Sequence, residues 1–155
     1  VEADTSEQVL ANWEVLKRRE KGQRSTADAI ESVPHTLPAL WRAEKIQKKA
    51  RKAGFDWPDV SGALDKLSEE VEELRTAVAE GSNIQEELGD LLFAAVNVSR
   101  FVQVDPEDAL SGACDKFARR FRQVEQSAAE RGQALEHMTL AEMDKLWDAA
   151  KEHEA

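Results

Sequence analysis

The stretch VSGALDKLSEEVEELRTAVAEGSNIQEELGDLLFAAVNV, residues 60–98, decides the fold. In its first half apolar residues recur at every third or fourth position, which is typical of one face of a helix over residues 60–80. This stripe consists of Leu64, Leu67, Val71, Leu74 and Val78, and we expect it to form core. The tripeptide GSN at 81–83 is a tight break, after which a second helix is predicted over about residues 83–104. So short a connection predicts an antiparallel helix hairpin.

The rest of the chain also predicts helices. Seven Gly, four Pro and no Tyr are low counts for a sheet protein with many turns. Further helices are predicted over about residues 6–21, 36–53, 105–131 and 139–152, and Thr139 with Glu142 forms a capping box at the start of the last one. No segment shows the pattern of a strand. The predicted fold class is therefore all-α, a helical bundle built on the antiparallel hairpin.

The two ends of the chain are similar to each other. VLANWEVLKRREK at 9–21 and EMDKLWDAAKEHE at 142–154 align on Trp13 with Trp147 and on Lys17 with Lys151. Two short helices can share such a pattern by chance. The alternative is that residues 1–21 are the tail helix of an upstream copy of the same domain. On that interpretation residues 22–35 are a linker and residues 36–155 form the main domain.

The charge of the chain excludes several classes of partner. It contains 31 acidic and 21 basic residues, a net charge of −10. Because phosphate backbones and anionic lipid surfaces are repelled by such a charge, we expect no nucleic-acid or membrane partner. One cysteine excludes a disulfide framework, and neither a span of 18 apolar residues nor a secretion signal is visible. We expect a cytoplasmic protein, in which an anionic substrate would need cations supplied locally.

Four carboxylates of the hairpin are the strongest candidates for chemistry. Glu70 and Glu73 are three residues apart on the first helix, and Glu87 and Asp90 repeat this spacing on the second. Because Glu73 and Asp90 are equally far from the centre of the turn, the hairpin predicts that all four carboxylates converge across one seam. The segment 69–90 contains eight acids and one base, a local charge of −7.

The surroundings of Asp90 favour a metal site. EEVEEL by itself can be an ordinary solvated helix face, but Asp90 lies within an apolar run, so we expect its carboxylate to be buried. A buried carboxylate is costly unless it is paired, hydrogen-bonded or bound to a metal. Oxygen ligands of this kind suit Mg²⁺, with Mn²⁺ as a possible substitute. A di-iron site is disfavoured because it uses Glu-x-x-His pairs, which His35, His137 and His153 do not supply.

A basic cluster follows at residues 116–122, KFARRFR, with a charge of +4 and no acid. Phe117 and Phe121 share one helix face, and Lys116 and Arg120 share another. Two core aromatics with a solvated basic face would produce the same pattern. In so acidic a chain, the alternative is a cationic face for a polyphosphate that arrives with Mg²⁺.

Two other features are open to more than one interpretation. Trp147 and Lys151, four residues apart, can stack on a base and reach a phosphate, and packing of Trp147 at an interface is an equal alternative. Residues 42–52 contain six bases and one acid, which is typical of the solvated side of a helix.

These motifs together resemble the MazG family of all-α nucleoside triphosphate pyrophosphohydrolases. The resemblance covers about residues 36–152 and is carried by Glu69-Glu70-x-x-Glu73, by Glu87-x-x-Asp90 after 13 intervening residues, by KFARRF at 116–121 and by Trp147-x-x-x-Lys151. Cys114 departs from the family pattern, where Asn is expected. The resemblance implies a homodimeric bundle and Mg²⁺-dependent hydrolysis of a nucleoside triphosphate to the monophosphate and pyrophosphate. It also fits a C-terminal domain of a tandem pair.

The same resemblance implies roles for individual residues. Metal ligands would be Glu70, Glu73, Glu87 and Asp90, and nucleotide contacts would be Lys66, Asn83, Lys116, Arg120, Trp147 and Lys151. We expect a metal-polarised water to attack the α-phosphorus in line while pyrophosphate leaves. Glu69, beside the ligands, is the candidate base that orients this water. Two alternatives stay open: a dUTP- or dNTP-specific all-α pyrophosphatase, and a non-catalytic acidic helical module for a basic partner.

Overall fold

The computed structural model describes residues 6–20, 22 and 25–153. These residues form seven α-helices and one short 3₁₀ helix, with no β-strand among them. The helices are α1 (Ser6–Glu20), α2 (Thr26–Glu31), α3 (Ala39–Lys52), α4 (Val60–Glu80), α5 (Ile84–Phe101), α6 (Pro106–Glu130) and α7 (Leu140–His153), and the 3₁₀ helix is Leu135–His137. The all-α prediction is confirmed. No helix in these described residues is long and apolar enough to cross a membrane.

The chain divides into two compact units, Val1–Glu107 and Asp108–Ala155, with the boundary near the start of α6. In the first unit α4 packs on α5, α5 on α3, and α3 on α2. In the second unit, α6 and α7 share a small core of Val124, Ala128 and Leu146, with Leu135, Met138 and Trp147 packed against it.

The α4–α5 hairpin begins and ends where local signals require. Asp59 caps α4 by accepting a hydrogen bond from the Ser61 amide at 2.8 Å. Gly81 ends α4 in the left-handed conformation, with φ of 69°, and its N–H donates to the Ala77 carbonyl. Asn83, also left-handed, precedes α5. These conformations turn the chain within three residues and bring the two helices side by side.

The face of α4 that is buried within this chain differs from the predicted one. Leu64 and Val78 on the predicted stripe are 46% and 59% exposed, whereas Ala63, Glu70 and Ala77 are buried. Ala63, Glu70 and Ala77 follow each other at seven-residue spacing, so the two small alanines let α5 approach closely and Glu70 lies between them in the seam. The expectation that the whole stripe forms the core of this chain is therefore wrong: Leu64, Val71 and Val78 form an exposed apolar surface of α4, and Leu67 and Leu74 are half-buried.

Two polar contacts attach α5 to earlier parts of the chain. The Arg100 guanidinium donates two hydrogen bonds to the Asp56 carboxylate, one of them 3.0 Å long, which joins the end of α5 to the α3–α4 loop. The Gln47 side chain, 6% exposed, donates to the Phe93 carbonyl at 2.9 Å and joins α3 to the middle of α5.

The predicted linker contains a helix. Ser25 caps α2 by accepting a hydrogen bond from the Asp28 amide, and Ala29 and Val33 are buried. The linker is therefore partly helical and packed against α3, although residues 23 and 24 lie outside the described residues. The predicted tail helix corresponds to α1, while residues 1–5 and 21 of that segment also lie outside the description.

Candidate functional site

Three of the four predicted carboxylates meet across the α4–α5 seam. Glu70 and Glu73 lie one turn apart on α4, and Glu87 lies in the first turn of α5. One carboxylate oxygen from each is within 4.8 Å of the other two. Glu70 is 4% exposed, Glu87 is half-buried and Glu73 is exposed, so the cluster is open to solvent on one side. Its oxygen atoms are close enough together to bind one hard cation.

Asp90 does not join this group. It is exposed, as are its apolar neighbours Leu92 and Phe93, so the expectation that its carboxylate is buried is wrong for this chain. The buried residues of α5 are Ala94 and Val96. An apolar run does not reveal which of its faces another helix covers, and here the face with Asp90 remains in solvent. Its assignment as a fourth ligand stays a prediction.

Lys66 lies among the acids of α4. Its ammonium nitrogen is 2.7 Å from Glu70 Oε1 and 3.0 Å from Glu69 Oε1. These hydrogen bonds, first to Glu70 and then to Glu69, raise the pKa of Lys66 well above its ordinary value. Lys66 therefore stays protonated and offsets part of the negative charge of the cluster.

Two carboxylate oxygens of the cluster are buried without a hydrogen-bond partner among the described residues: Glu70 Oε2 and Glu87 Oε2. A buried carboxylate oxygen left in this way is costly. A divalent cation would supply the missing partner, and it prefers oxygen donors of this type. The donor set therefore fits the hard cation predicted from the sequence.

The pKa of Glu73 also reflects how close the carboxylates are to one another. Its pKa is raised above the ordinary value, chiefly because the negative charge of Glu70 is close, with smaller contributions from desolvation, from a hydrogen bond with Glu70 and from the Glu87 charge. The Lys66 charge acts in the opposite direction. Repulsion among the carboxylates is thus only partly offset by the chain itself, and a bound cation would relieve it.

A pocket of about 330 Å³ opens from the cluster towards the hairpin turn. Asn83 and Glu69, both predicted from the sequence, line it together with Glu73 and Glu87. The sequence analysis missed the other polar lining residues, which are Glu72, Thr76, Glu80 and Ser82. Helical spacing could have found Thr76 and Glu80, because they follow Glu73 at three and seven residues on the same face.

In the second unit, the structure brings together four of the side chains that the sequence analysis singled out. The rings of Phe117 and Phe121 stack with centroids 6.0 Å apart, and Phe117 lies 5.1 Å from the ring of Trp147. The Arg120 guanidinium lies over the Trp147 ring at 5.8 Å. Phe117 and Phe121 are exposed, so the alternative that they are core aromatics is wrong. They form an aromatic surface with Arg120 at its side.

The two lysines of this unit that are predicted to contact the nucleotide are exposed. Lys151 Nζ lies 3.4 Å from Asp148 Oδ1 on the same helix, and Lys116 is on the surface of α6. Cys114, the departure from the family pattern, is also exposed on α6. Both lysines are therefore accessible to an anionic ligand.

The fold and the cluster together define an all-α protein whose helix hairpin carries three converging carboxylates that could hold a hard cation. The sequence pattern of the family described as "MazG nucleotide pyrophosphohydrolase domain" matches residues 59–125, which include α4, α5 and the greater part of α6. The chain belongs to the MazG family.

Known relatives support this assignment. The chain is 42% identical to the nucleoside triphosphate pyrophosphohydrolase of Escherichia coli (strain K12) over 98% of its own length and 59% of that protein. It is also 42% identical to the nucleoside triphosphate pyrophosphohydrolase/pyrophosphatase MazG of Thermotoga maritima, over 90% of this chain and 54% of the relative. Identity to the uncharacterized protein YabN of Bacillus subtilis (strain 168) is 50%, over 99% of the chain and 32% of YabN. The chain thus spans little more than half the length of the first two relatives.

Proposed function

We propose that this chain hydrolyses a nucleoside triphosphate to the nucleoside monophosphate and pyrophosphate with the help of a divalent cation. The observation that carries the proposal is the meeting of Glu70, Glu73 and Glu87, with two buried carboxylate oxygens that have no partner among the described residues. A pocket beside the cluster leaves room for a phosphate group. The names of the relatives from Escherichia coli and Thermotoga maritima point to the same reaction.

Glu70, Glu73 and Glu87 would hold the cation, Mg²⁺ by preference and Mn²⁺ as a substitute, and Asp90 is proposed as a fourth ligand. When bound, the cation supplies charge neutralisation for the phosphates and polarisation of a water molecule. Lys66, within hydrogen-bond distance of Glu70, would keep that carboxylate oriented towards the pocket. This assignment gives the one buried glutamate of α4 a functional reason to be buried.

The water molecule would be oriented by Glu69. Its carboxylate lines the pocket beside Glu73 and is held by Lys66 at 3.0 Å, so one oxygen remains available as a proton acceptor. The water oxygen forms a bond to the α-phosphorus, the bond from that phosphorus to the bridging oxygen breaks, and pyrophosphate leaves. Glu69 accepts the proton released from the water.

The predicted nucleotide contacts are proposed for each unit by itself. In the first unit they are Lys66 and Asn83, and in the second unit they are Lys116, Arg120, Trp147 and Lys151. The ring contact of Arg120 with Trp147 supports a role for this pair because it presents a cation and an aromatic face together. Lysine and arginine would neutralise phosphate oxygens that the cation does not reach.

We also propose that the protein is a homodimer. Both α4 and α5 carry large apolar side chains that are 38% to 59% exposed. They include Leu64, Val71, Val78, Leu92 and Phe93. Large apolar side chains exposed in this number on two packed helices are unusual on a monomer and typical of a protein–protein interface. Packing against a second copy would bury the stripe that the sequence pattern assigns to a core.

The proposed reaction is tested by measuring pyrophosphate release from the four common NTPs and from dUTP, with Mg²⁺, with Mn²⁺ and with EDTA. We expect release with a divalent cation, none with EDTA, and a loss of more than about 100-fold in kcat/KM for Glu73→Gln. Glu130→Gln on α6, which removes one exposed acid of the second unit, is the matched control and should retain full activity. Absence of release from every nucleotide, or equal activity of Glu73→Gln and wild type, would refute the proposal. Release from dUTP alone would identify the narrower pyrimidine enzyme.

A further inference from the structure

An apolar pocket between α3 and α5 contains one charged side chain. Its volume is about 280 Å³, and both helices contribute apolar residues to its wall, among them Ile46 of α3 and Phe93 of α5. Arg42 is the only charged residue among the described residues that line it, so no acidic side chain lies in the wall beside it. A mostly apolar wall with a single polar group is typical of a site for a small molecule.

The pocket lies on the side of α5 that faces away from the carboxylate cluster. The residues of α5 that line it follow the i, i+3, i+4, i+7 pattern of one helix face: Gly89, Leu92, Phe93 and Val96. Glu87 precedes Gly89 by two positions, which corresponds to about 200° around the helix. None of the described residues lines both this pocket and the pocket beside the carboxylates. A ligand here would therefore be separate from the proposed reaction.

The guanidinium of Arg42 lacks one hydrogen bond. Its Nε atom is buried and has no hydrogen-bond partner among the residues that the structure describes. A buried donor on a charged group is costly when it is left in this way. A carboxylate would remove this cost, because its two oxygens accept hydrogen bonds from the planar fork of a guanidinium and neutralise the charge. The partner that Arg42 lacks is therefore an anion with acceptor oxygens.

The rest of the wall restricts which anion would fit. One guanidinium balances one negative charge, whereas the second charge of a phosphate group would be left uncompensated beside apolar side chains. The net charge of −10 also disfavours a highly charged ligand. Apolar wall residues such as Leu40, Ile46 and Val96 contribute to binding only if the ligand buries hydrocarbon surface against them. The pocket therefore fits a monocarboxylate with an apolar body.

We propose that the pocket between α3 and α5 binds a small monocarboxylate with a hydrocarbon body, and that the carboxylate pairs with Arg42. The proposal is independent of the reaction at the carboxylate cluster. Leu92 and Phe93 are also among the residues of the proposed dimer surface, so a second copy of the chain is the alternative occupant. A side chain of that copy in the pocket would prevent the carboxylate from binding.

Octanoate is the probe, and isothermal titration calorimetry in EDTA measures its binding without a metal ion. Octanol has the same hydrocarbon chain without the charge and is the matched ligand. We expect wild type to bind octanoate and Arg42→Met to bind it at least about tenfold more weakly, while both bind octanol equally. Arg131→Met, which removes an exposed arginine of the second unit, should bind octanoate as wild type does.

A second variant tests where the ligand binds. Ala43→Phe places a ring in the pocket from α3 and should abolish binding of both octanoate and octanol. Arg42→Met should keep the melting temperature of wild type without ligand, because the lost Nε donor has no partner in the described part of the chain, so weaker binding reports the lost contact and not a damaged fold. Absence of octanoate binding to wild type, as expected if a second copy fills the pocket, would overturn the proposal. Octanoate binding as strong as that of wild type in either Arg42→Met or Ala43→Phe would also overturn it.

Discussion

Lys66 and Glu70 form an ion pair across one turn of α4, with 2.7 Å between Nζ and Oε1. The two partners differ in environment: the Lys66 side chain is 38% exposed and the Glu70 side chain is 6% exposed. Lys66 therefore joins a buried carboxylate to solvent and supplies the positive charge nearest to the seam. Without it, the carboxylates of Glu70, Glu73 and Glu87 would repel one another with less compensation.

This relationship predicts that Lys66→Met lowers the melting temperature in EDTA, because Glu70 loses the cation that hydrogen-bonds to it. Mg²⁺ should then stabilise the variant by more degrees than it stabilises wild type, because the metal replaces the lost charge. Differential scanning fluorimetry with and without Mg²⁺ measures both effects. Lys145→Met on α7 removes an exposed lysine and is the control. An unchanged melting temperature of Lys66→Met in EDTA would show that the ion pair does not stabilise the seam.

The raised pKa of Glu73 leads to a second prediction. The raised pKa means that the ionised form of Glu73 is disfavoured next to Glu70 and Glu87, and this repulsion destabilises the metal-free protein wherever Glu73 is ionised. We expect Glu73→Gln to raise the melting temperature in EDTA and to reduce the additional stabilisation by Mg²⁺. Glu130→Gln should leave both quantities unchanged. A lower melting temperature for Glu73→Gln in EDTA would contradict the account of the cluster as a repulsive site.

The contact between Asp56 and Arg100 predicts a dependence of stability on pH. The hydrogen bond from Arg100 and the positive charge of Arg100 lower the pKa of Asp56, and the Arg100 side chain is only 5% exposed. A lowered carboxylate pKa stabilises the fold above the unfolded-state pKa of about 4, and this contribution is lost as pH falls from that value through the lower pKa of the folded state. Asp56→Asn should therefore be less stable by about 2 kcal/mol at pH 7, and the difference from wild type should shrink at pH 3. Urea unfolding at both pH values tests this, and a difference of equal size at pH 3 would rule out the ionic contribution.

Gly62 allows the Trp57 ring to lie on the first turns of α4. A Cβ at this position would be 2.8 Å from Trp57 Cε3, closer than van der Waals contact allows. We expect Gly62→Ala to destabilise the protein by about 1–3 kcal/mol, because the ring or the helix must shift. Gly112→Ala on α6 is the matched control: its Cβ would have no atom within 4 Å, so the higher helix propensity of alanine should stabilise it by up to about 1 kcal/mol. Chemical denaturation measures the free energy of unfolding of both variants. Equal changes in the two variants would argue against the Trp57 contact.

The apolar surface of α4 and α5 predicts how the proposed dimer can be broken. Leu92 is 48% exposed, and it would be buried twice in a symmetric interface, once from each copy. We expect Leu92→Lys to raise the dimer Kd by more than about 100-fold and to shift the protein to monomer in size-exclusion chromatography with light scattering. Leu140→Lys at the start of α7, where the leucine is 72% exposed, should leave the mass unchanged. A monomeric wild type would contradict the proposed dimer.

The helices themselves follow from local signals in the sequence. The capping box is confirmed, because the Thr139 amide donates to Glu142 at 2.7 Å and the Glu142 amide donates to Thr139 at 3.2 Å. Gly81 ends α4 where predicted, and α5 ends a few residues earlier than expected. The α2 helix was missed because it has six residues and little apolar periodicity, and it is stabilised by packing on α3.

The carboxylate spacing was also visible in the sequence, but its outcome depends on how the helices pack. Glu70 and Glu73 are three positions apart, as are Glu87 and Asp90, and this spacing places each pair on one helix face whatever the surroundings. Local periodicity cannot show which face another helix covers. Packing through small alanines buried Glu70 and left Asp90 in solvent.

The sequence by itself determined the helices, the turn and the spacing of the acids, because caps, glycine conformations and helical periodicity act over a few residues. Only the tertiary structure decided that Glu70 is buried in the seam, that Glu87 meets it there, and that Asp90 stays outside the cluster. The burial and charge of each group depend on partners from other turns and helices, whose register is set by packing across the whole unit.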